Sequence, residues 1–490
     1  MLLIESTKLE ISKIDDSKYE IKVESLIIGN DFTDNYFKSN QKVDDIFIML
    51  DNNEENIRKF AIKQLSYLSD ALEENKSLIN SFKQEYFNKI LKFLVQTKDM
   101  NEIYELTLII INITRCSGEF VEFVGNSTYI SQIFDQMEIT LDPVILNHYL
   151  IIFGNLLGES ETVSQTILRK CNIIQSTQRY LNSTNLPLYL KTSLFFLISN
   201  IIKYIAITDI RENYLSFLPI FANNLKSSLD SENFHYTLRL VKEITDKSEE
   251  EDLKEILKNN VHILLLSHIK QGMRNDNMEL IFRIFTSIIN LNFDDKFIDD
   301  LYSYNMFNIL EAYLECINFS SSTKESSKML LAFTTLLDTL VYYLGESYRG
   351  RLVRRTKIPT LLIKLIEQTS NLEIIFNILS FFKISLDSNT NNIKTDLLRI
   401  PLLEVFCRFV KTPNFDIQKV CLEGIFLFLL YGENLMKDKR NIIATQLELS
   451  GETYEIQNLI SSNNEDIAKL AETINNKYFS NLKSSEVENA

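Results

Sequence analysis

Glycine and proline are scarce, at 11 and 6 of 490 residues, against average usage of roughly 7% and 5%. Doubly wound sheets, β-sandwiches and barrels need turn residues in number, so this composition excludes them. It also argues against the three or so ordinary globules that a prior of roughly 150 residues per domain would give. Tryptophan is absent, and the five cysteines (Cys116, Cys171, Cys316, Cys407, Cys421) form no CxxC. Without a disulfide or zinc framework, a reducing intracellular compartment, cytoplasmic or nuclear, is expected. Basic charge is in the minority, with 51 Lys and Arg against 66 Asp and Glu and a net charge of −15. Nucleic-acid affinity rests on a basic stripe, so no nucleic-acid partner is expected. The longest apolar runs, such as Leu106–Ile113, fall short of the roughly 18 residues of a membrane span. The opening MLLIESTKLEISKIDD has neither the basic nor the apolar region of a secretory signal. Histidine is limited to His148, His235, His262 and His268, and no HExxH, P-loop, GxGxxG or GxSxG occurs. Each of those motifs holds a metal, a phosphate or a nucleophile through its spacing. A non-enzymatic protein without cofactor or metal is therefore expected.

What is present is a large apolar fraction, 45%, with 24% charged residues, enough to bury a substantial core. Apolar residues recur at spacings of three and four, as in Ile417, Val420, Cys421, Gly424, Ile425, Phe428 and Leu429, the stripe of an amphipathic helix. A larger period overlies this one. LTLIIINITRCSGEFVEFV, LIIFGNLLGESETVSQTIL and LFFLISNIIKY place Asn112, Asn155 and Asn200 at intervals of 43 and 45 residues. A Gly-Glu turn recurs at Gly158-Glu159, Gly345-Glu346 and Gly432-Glu433. An all-helical unit of roughly 40–47 residues is the armadillo/HEAT range. One such unit cannot bury its own stripe, so neighbours must stack into a shared core. The fold class expected is all-α, a right-handed superhelical solenoid of about ten repeats over 43–480. Residues 1–42 alternate over short stretches and are expected to be a non-repeat segment or arm. Residues 481–490 form a polar tail.

The C-terminal end carries a closer likeness. Leu422–Gly424, Gly432–Glu433, Gly451, Ile456–Leu459 and Asn464-Glu465-Asp466-Ile467 followed by Ala471 resemble the last two armadillo repeats of importin-α, the adaptor for nuclear-localisation peptides. Weaker similarity extends over about 55–480. The resemblance implies an extended peptide held in a concave groove by a Trp and Asn ladder, four residues apart on the third helix of each repeat. Residues i and i+4 share a helical face, and an Asn amide both donates and accepts. On this resemblance Asn112, Asn155 and Asn200 would clamp a peptide backbone. Leu108, Ile151 and Phe196 stand where the family has Trp and would make an apolar groove wall. Glu159 would read one basic side chain. In the next unit Arg239 and Glu243 occupy the ladder positions, a departure. Residues 1–42 contain Lys8, Lys13, Lys18, Lys22, Lys38 and Lys42 but no Arg and no basic cluster, so binding of importin-β in the family's manner is not expected.

Each of these features also has a plainer meaning. A helical Asn near a turn is commonly a cap or a bond to a neighbouring segment; three in register point to a groove. The cationic run Arg349, Arg351, Arg354, Arg355 and Lys357 is either a solvated helix or a patch for an acidic partner. Glu249-Glu250-Glu251-Asp252 reads as the acidic first turn of a helix, and the cysteines as small core residues. The function expected is a protein-binding adaptor or scaffold that holds an extended polypeptide or partner subunit, as a free adaptor or within a cytoskeletal or ciliary assembly. The other reading is a nuclear import receptor with a divergent groove.

Overall fold

The computed structural model describes residues 40–72, 83–183, 186–205, 215–226, 232–269, 273–291, 295–317, 324–436 and 441–479. Most of the segment 1–42 and all of the tail 481–490 lie outside them. Every regular element among the described residues is helical. The first begins at Asn40 and runs to Leu50. The helices divide into two compact units, one up to Phe120 and one from Val121 onward.

Ten helices recur as the third and usually longest of each repeat. They are α1 (Glu55–Asp70), α2 (Met100–Cys116), α3 (Pro143–Glu159), α4 (Leu188–Ile205), α5 (Glu232–Lys247), α6 (Asn275–Leu291), α7 (Lys324–Tyr343), α8 (Leu372–Leu386), α9 (Phe415–Asn434) and α10 (Glu465–Ile474). Two shorter helices precede most of them, such as Glu161–Lys170 and Ile173–Leu181 before α4, or Asn391–Leu398 and Leu402–Phe409 before α9. A short, short, long triplet is the armadillo repeat, so the fold is an armadillo-type solenoid. In the first unit α1 packs on α2; in the second each third helix packs on the next, from α3 through to α10. The shared core is large, with Phe153, Phe221, Phe234, Phe282, Phe285 and Phe333 each fully buried.

The scarcity of glycine and proline is made good by Asn and Asp. The Asp142 carboxylate accepts the Val144 amide at 2.8 Å, Asn371 Oδ1 accepts that of Glu373 at 2.9 Å, and Asn414 and Asn464 do the same at 3.1 Å. Each cap satisfies a helix-start N–H that has no partner within the helix. Asn260 and Asn305 take the left-handed conformation, with φ of 54° and 59°, before the second helix of successive repeats. Gly451 does so at φ 75° in the last repeat. Asn tolerates that region better than other side chains, so one glycine serves where three would be expected.

Candidate functional site

The residues singled out by the Asn ladder fall at two seams. In the first unit, Asn112 is buried and its amide donates to Asp70 Oδ1 at 2.6 Å and to Ser69 Oγ at 3.2 Å. It thus ties α2 to α1. Burial raises the Asp70 carboxyl above its usual range, and the Asn112 bond opposes that rise. Leu108 is half-buried on the same helix.

In the second unit, the seam between α3 and α4 gathers Ile151, Asn155, Glu159, Phe196 and Asn200. Ile151 is buried, and Asn155 is half-buried. The Phe196 ring lies directly on Gly154, where a Cβ would collide with it. The Asn200 amide donates to the Gly154 carbonyl at 2.9 Å. Its side chain also sits 3.0 Å from where a Cβ on Gly158 would be. The C-terminus of α3 is closed by the next helix. The Gly158 carbonyl accepts Lys203 Nζ at 2.8 Å and the Tyr204 hydroxyl at 3.1 Å, and the Glu159 carbonyl accepts the same hydroxyl at 3.2 Å. A cation at the negative end of a helix is favourable, and the device repeats, since Lys247 Nζ reaches the Ile202 carbonyl of α4 at 2.7 Å. Desolvation lowers the Lys247 pKa. Glu159 itself is exposed. At the departure in the ladder, the Ser199 hydroxyl donates to Glu243 at 3.0 Å, and burial raises that carboxyl. Of the side chains that the resemblance gives to a peptide, Phe196 and Asn200 join the repeats at this seam.

The cationic run behaves in the same way. Arg349 donates to the Val341 and Leu344 carbonyls at 3.1 Å each, closing the end of α7. Arg351 stacks its guanidinium on Tyr302 and Tyr348, 4.5 and 5.2 Å from the ring centres. Arg354 pairs with Asp396 at 2.6 Å and Lys357 with Glu315 at 2.7 Å. Four of the five cations thus bind within the protein, while Arg355 is exposed. The Gly-Glu turns also serve as joints: Glu346 accepts from the Asn389 amide and the Thr390 hydroxyl, both at 3.0 Å, and Glu433 pairs with Lys477 at 2.8 Å.

An open space lies elsewhere, on the third helices α5–α9. One cleft of about 620 Å³ is lined by Lys242 and Asp246 of α5, Ser287 of α6, Thr335 of α7, and Phe376 and Asn377 of α8, with Asn414 and Asp416 at the start of α9. A second, of about 560 Å³, adjoins it through Phe376 and Asp416 and includes Asp338, Tyr342, Lys383 and Glu423. Polar rungs cross between the helices. Ser287 donates to Asp246 at 2.8 Å, and the Asn377 amide donates to Thr335 Oγ1 at 2.9 Å. Asp338 is largely covered, and one of its oxygens has no hydrogen-bond partner. Burial raises its carboxyl to about 6, with a Ser380 hydrogen bond and nearby Lys383 opposing the rise. No group of three or more His, Cys, Asp or Glu positioned for a metal occurs among the described residues. No described helix is long and apolar enough to cross a membrane.

The cleft is absent from the sequence reading. Its signal was small or short polar side chains, Ser287, Ala332 and Thr335, in the stretch of the third helix where α3 and α4 carry Ile151, Asn155, Phe196 and Asn200. That contrast becomes visible only once the third helices are aligned.

No protein-family model matches the chain, and no curated protein matches it. Among solved structures it is similar to an engineered protein, with a TM-score of 0.69 and 13% identity over 90% of this chain and 99% of that one. Matches at a TM-score of 0.43 include the designed armadillo repeat protein YIII(Dq)4CqI, with 16% identity over 52% of this chain and 97% of that one. Another is a designed armadillo repeat protein in complex with the peptide (KR)4, with 15% identity over 52% and 96%. At such identities the likeness concerns the fold alone.

Proposed function

We propose that this chain is a non-enzymatic protein-binding scaffold, and that its ligand is an extended polypeptide or a partner subunit lying across α5–α9. The observation that carries this reading is the pair of adjoining clefts, which presents one similar face of each successive third helix. Such a surface offers a set of side chains at every rung, which suits a chain running across the helices. The Asn377 side-chain oxygen and the Asn414 amide, which the rung to Thr335 and the helix cap leave over, can bond a peptide backbone whatever its side chains. The Asn112, Asn155 and Asn200 ladder is proposed to stiffen the repeats beneath such a ligand, because its amides at Asn112 and Asn200 already bind neighbouring helices.

The test is purification of the tagged native protein with its partners, followed by cross-linking mass spectrometry. Cross-links from partners are expected on α5–α9. Cross-links confined to the first and second helices of the repeats would remove the reading. The composition of the recovered complex then separates the two roles. One or two partners in fixed ratio would mark a structural subunit, as in a cytoskeletal or ciliary assembly. Importin-β with a varied set of basic cargoes would mark an import adaptor.

A further inference from the structure

Cations and anions are not balanced around the first cleft. Each of the basic residues along it has an acid within the protein. Lys242 pairs with Asp246 and Arg283 with Glu279 at 2.9 Å; in the adjoining cleft Lys383 pairs with Glu423 at 3.1 Å and Lys419 with Asp466 at 3.0 Å. Glu373 and Asp416 also line the cleft and are exposed; Glu373 takes part in no ion pair among the described residues, and Asp416 has only the longer-range attraction of Lys419 one turn along the same helix, whose ammonium is bonded to Asp466. The excess charge of the cleft is therefore negative.

The apolar side chains show the same register. Leu372 and Phe415 stand immediately before these two acids in adjacent repeats, 45% and 53% exposed. The local sequence repeats as Asn371-Leu372-Glu373-Ile374 and Asn414-Phe415-Asp416-Ile417. In each, Asn caps the helix and Ile is buried in the core. The cap and the core contact together fix the two residues between them. Leu372 forms part of the cleft wall, with Phe376 one turn further along α8. A large exposed apolar side chain next to an exposed acid, repeated on consecutive helices, presents two kinds of contact in alternation.

We propose that this lip, Leu372-Glu373 and Phe415-Asp416, docks an extended polypeptide segment carrying both apolar and basic side chains. The apolar side chains cover Leu372, Phe415 and Phe376, and Lys or Arg groups meet Glu373 and Asp416. This rests on the reading of the cleft as a polypeptide site. Charge complementarity selects a basic segment over an acidic one, and the exposed apolar pair selects a mixed segment over a purely basic one.

The test uses fluorescein-labelled dodecapeptides in anisotropy titrations with the full chain. One contains Leu and Lys among Ser and Gly spacers; in the two controls Glu replaces Lys, or Ser replaces Leu. The Leu/Lys peptide is expected to bind at least about tenfold more tightly than either control, and less tightly as salt rises. The doubles Glu373→Gln with Asp416→Asn, and Leu372→Ser with Phe415→Ser, are each expected to weaken it by about tenfold, roughly 1.4 kcal/mol, with unchanged melting by circular dichroism. Equal binding of the controls, indifference to both doubles, or no binding to the unaltered chain would each overturn the inference. Cross-links of native partners to α5–α9 would leave the broader reading standing in that event, and cross-links elsewhere would remove both.

Discussion

The seam between α3 and α4 and the cleft across α5–α9 are made from the same kind of helix in the same kind of stack, yet one is closed and the other open. At the closed seam Gly154 and Gly158 let α4 approach so nearly that the Phe196 ring and the Asn200 amide fill the gap. In the cleft, Ser287 and Thr335 bond across the helix pairs instead, to Asp246 and to the Asn377 amide, and open space remains beside them. Glycine in these helices brings no turn; it permits close approach. Gly424 repeats the point, since a Cβ there would lie 2.6 Å from the Phe406 ring. In both places polar side chains bridge the helices, and in the cleft they also line open space.

The comparison can be broken most forcefully at the glycines. Gly154→Ala must displace the Phe196 ring, and Gly424→Ala the Phe406 ring. Overpacking of this kind costs typically about 1–3 kcal/mol, and urea unfolding should show it for both. By contrast, Glu373→Gln in the cleft should stay within about 0.5 kcal/mol. A neutral Gly154→Ala would mean that the seam yields and is no tighter than the cleft.

Two titratable groups, one buried and one partly covered, should oppose each other in acid. His262 is buried, with neither ring nitrogen hydrogen-bonded among the described residues. Desolvation lowers its pKa to about 4 from an ordinary 6.5. The unfolded chain therefore takes up the proton first, and stability falls as pH drops from about 6.5 towards 4, by up to about 3 kcal/mol. Asp338 has the reverse sign, because its carboxyl is raised to about 6. The unfolded chain loses that proton first, so stability falls as pH rises from about 4 to 6, by about 2–3 kcal/mol at most. His262→Leu should leave a profile that declines with rising pH over this range. Asp338→Asn should raise stability at pH 7 but not at pH 4, and leave a profile that climbs. Chemical denaturation at several pH values measures both, and parallel profiles for the two variants would contradict the assignments.

The smallest expected effects concern single hydrogen bonds. Asn200→Ala removes the bond to the Gly154 carbonyl and should cost about 1 kcal/mol, read as a shift in the urea midpoint. It should leave partner affinity unchanged, whereas the double change at Glu373 and Asp416 should lower affinity and leave the midpoint in place. Reversal of that pattern would return the binding role to the ladder.

Much of the architecture was legible in the residues themselves. Few glycines and prolines excluded sheets, spacings of three and four marked helices, and intervals of 43 and 45 residues marked the repeat. Those are local properties, set by backbone geometry and by the need of each apolar stripe for a neighbour. Several C-terminal residues singled out in the sequence have plain structural roles. Gly424 seats Phe406, Gly451 supplies a left-handed turn, and Asn464 caps α10. The candidate site was less legible, because a side chain's chemistry does not say what it will meet. Asn112 and Asn200 have the right type and spacing for a peptide clamp, yet their amides bind Asp70 and Gly154 from the preceding helix. Arg349, Arg354 and Lys357 form a basic run in sequence, yet they bind the Val341 carbonyl, Asp396 and Glu315.

By itself, then, the sequence determined that this chain is a stack of helical repeats with Asn and Asp at its helix starts, since helix formation, capping and burial of a stripe depend on neighbours a few residues away. Only the tertiary structure decided which neighbour each polar group meets and where open space remains beside it. That depends on the gap between helices some 43–50 residues apart, and the gap follows from the volume of the side chains that meet across it.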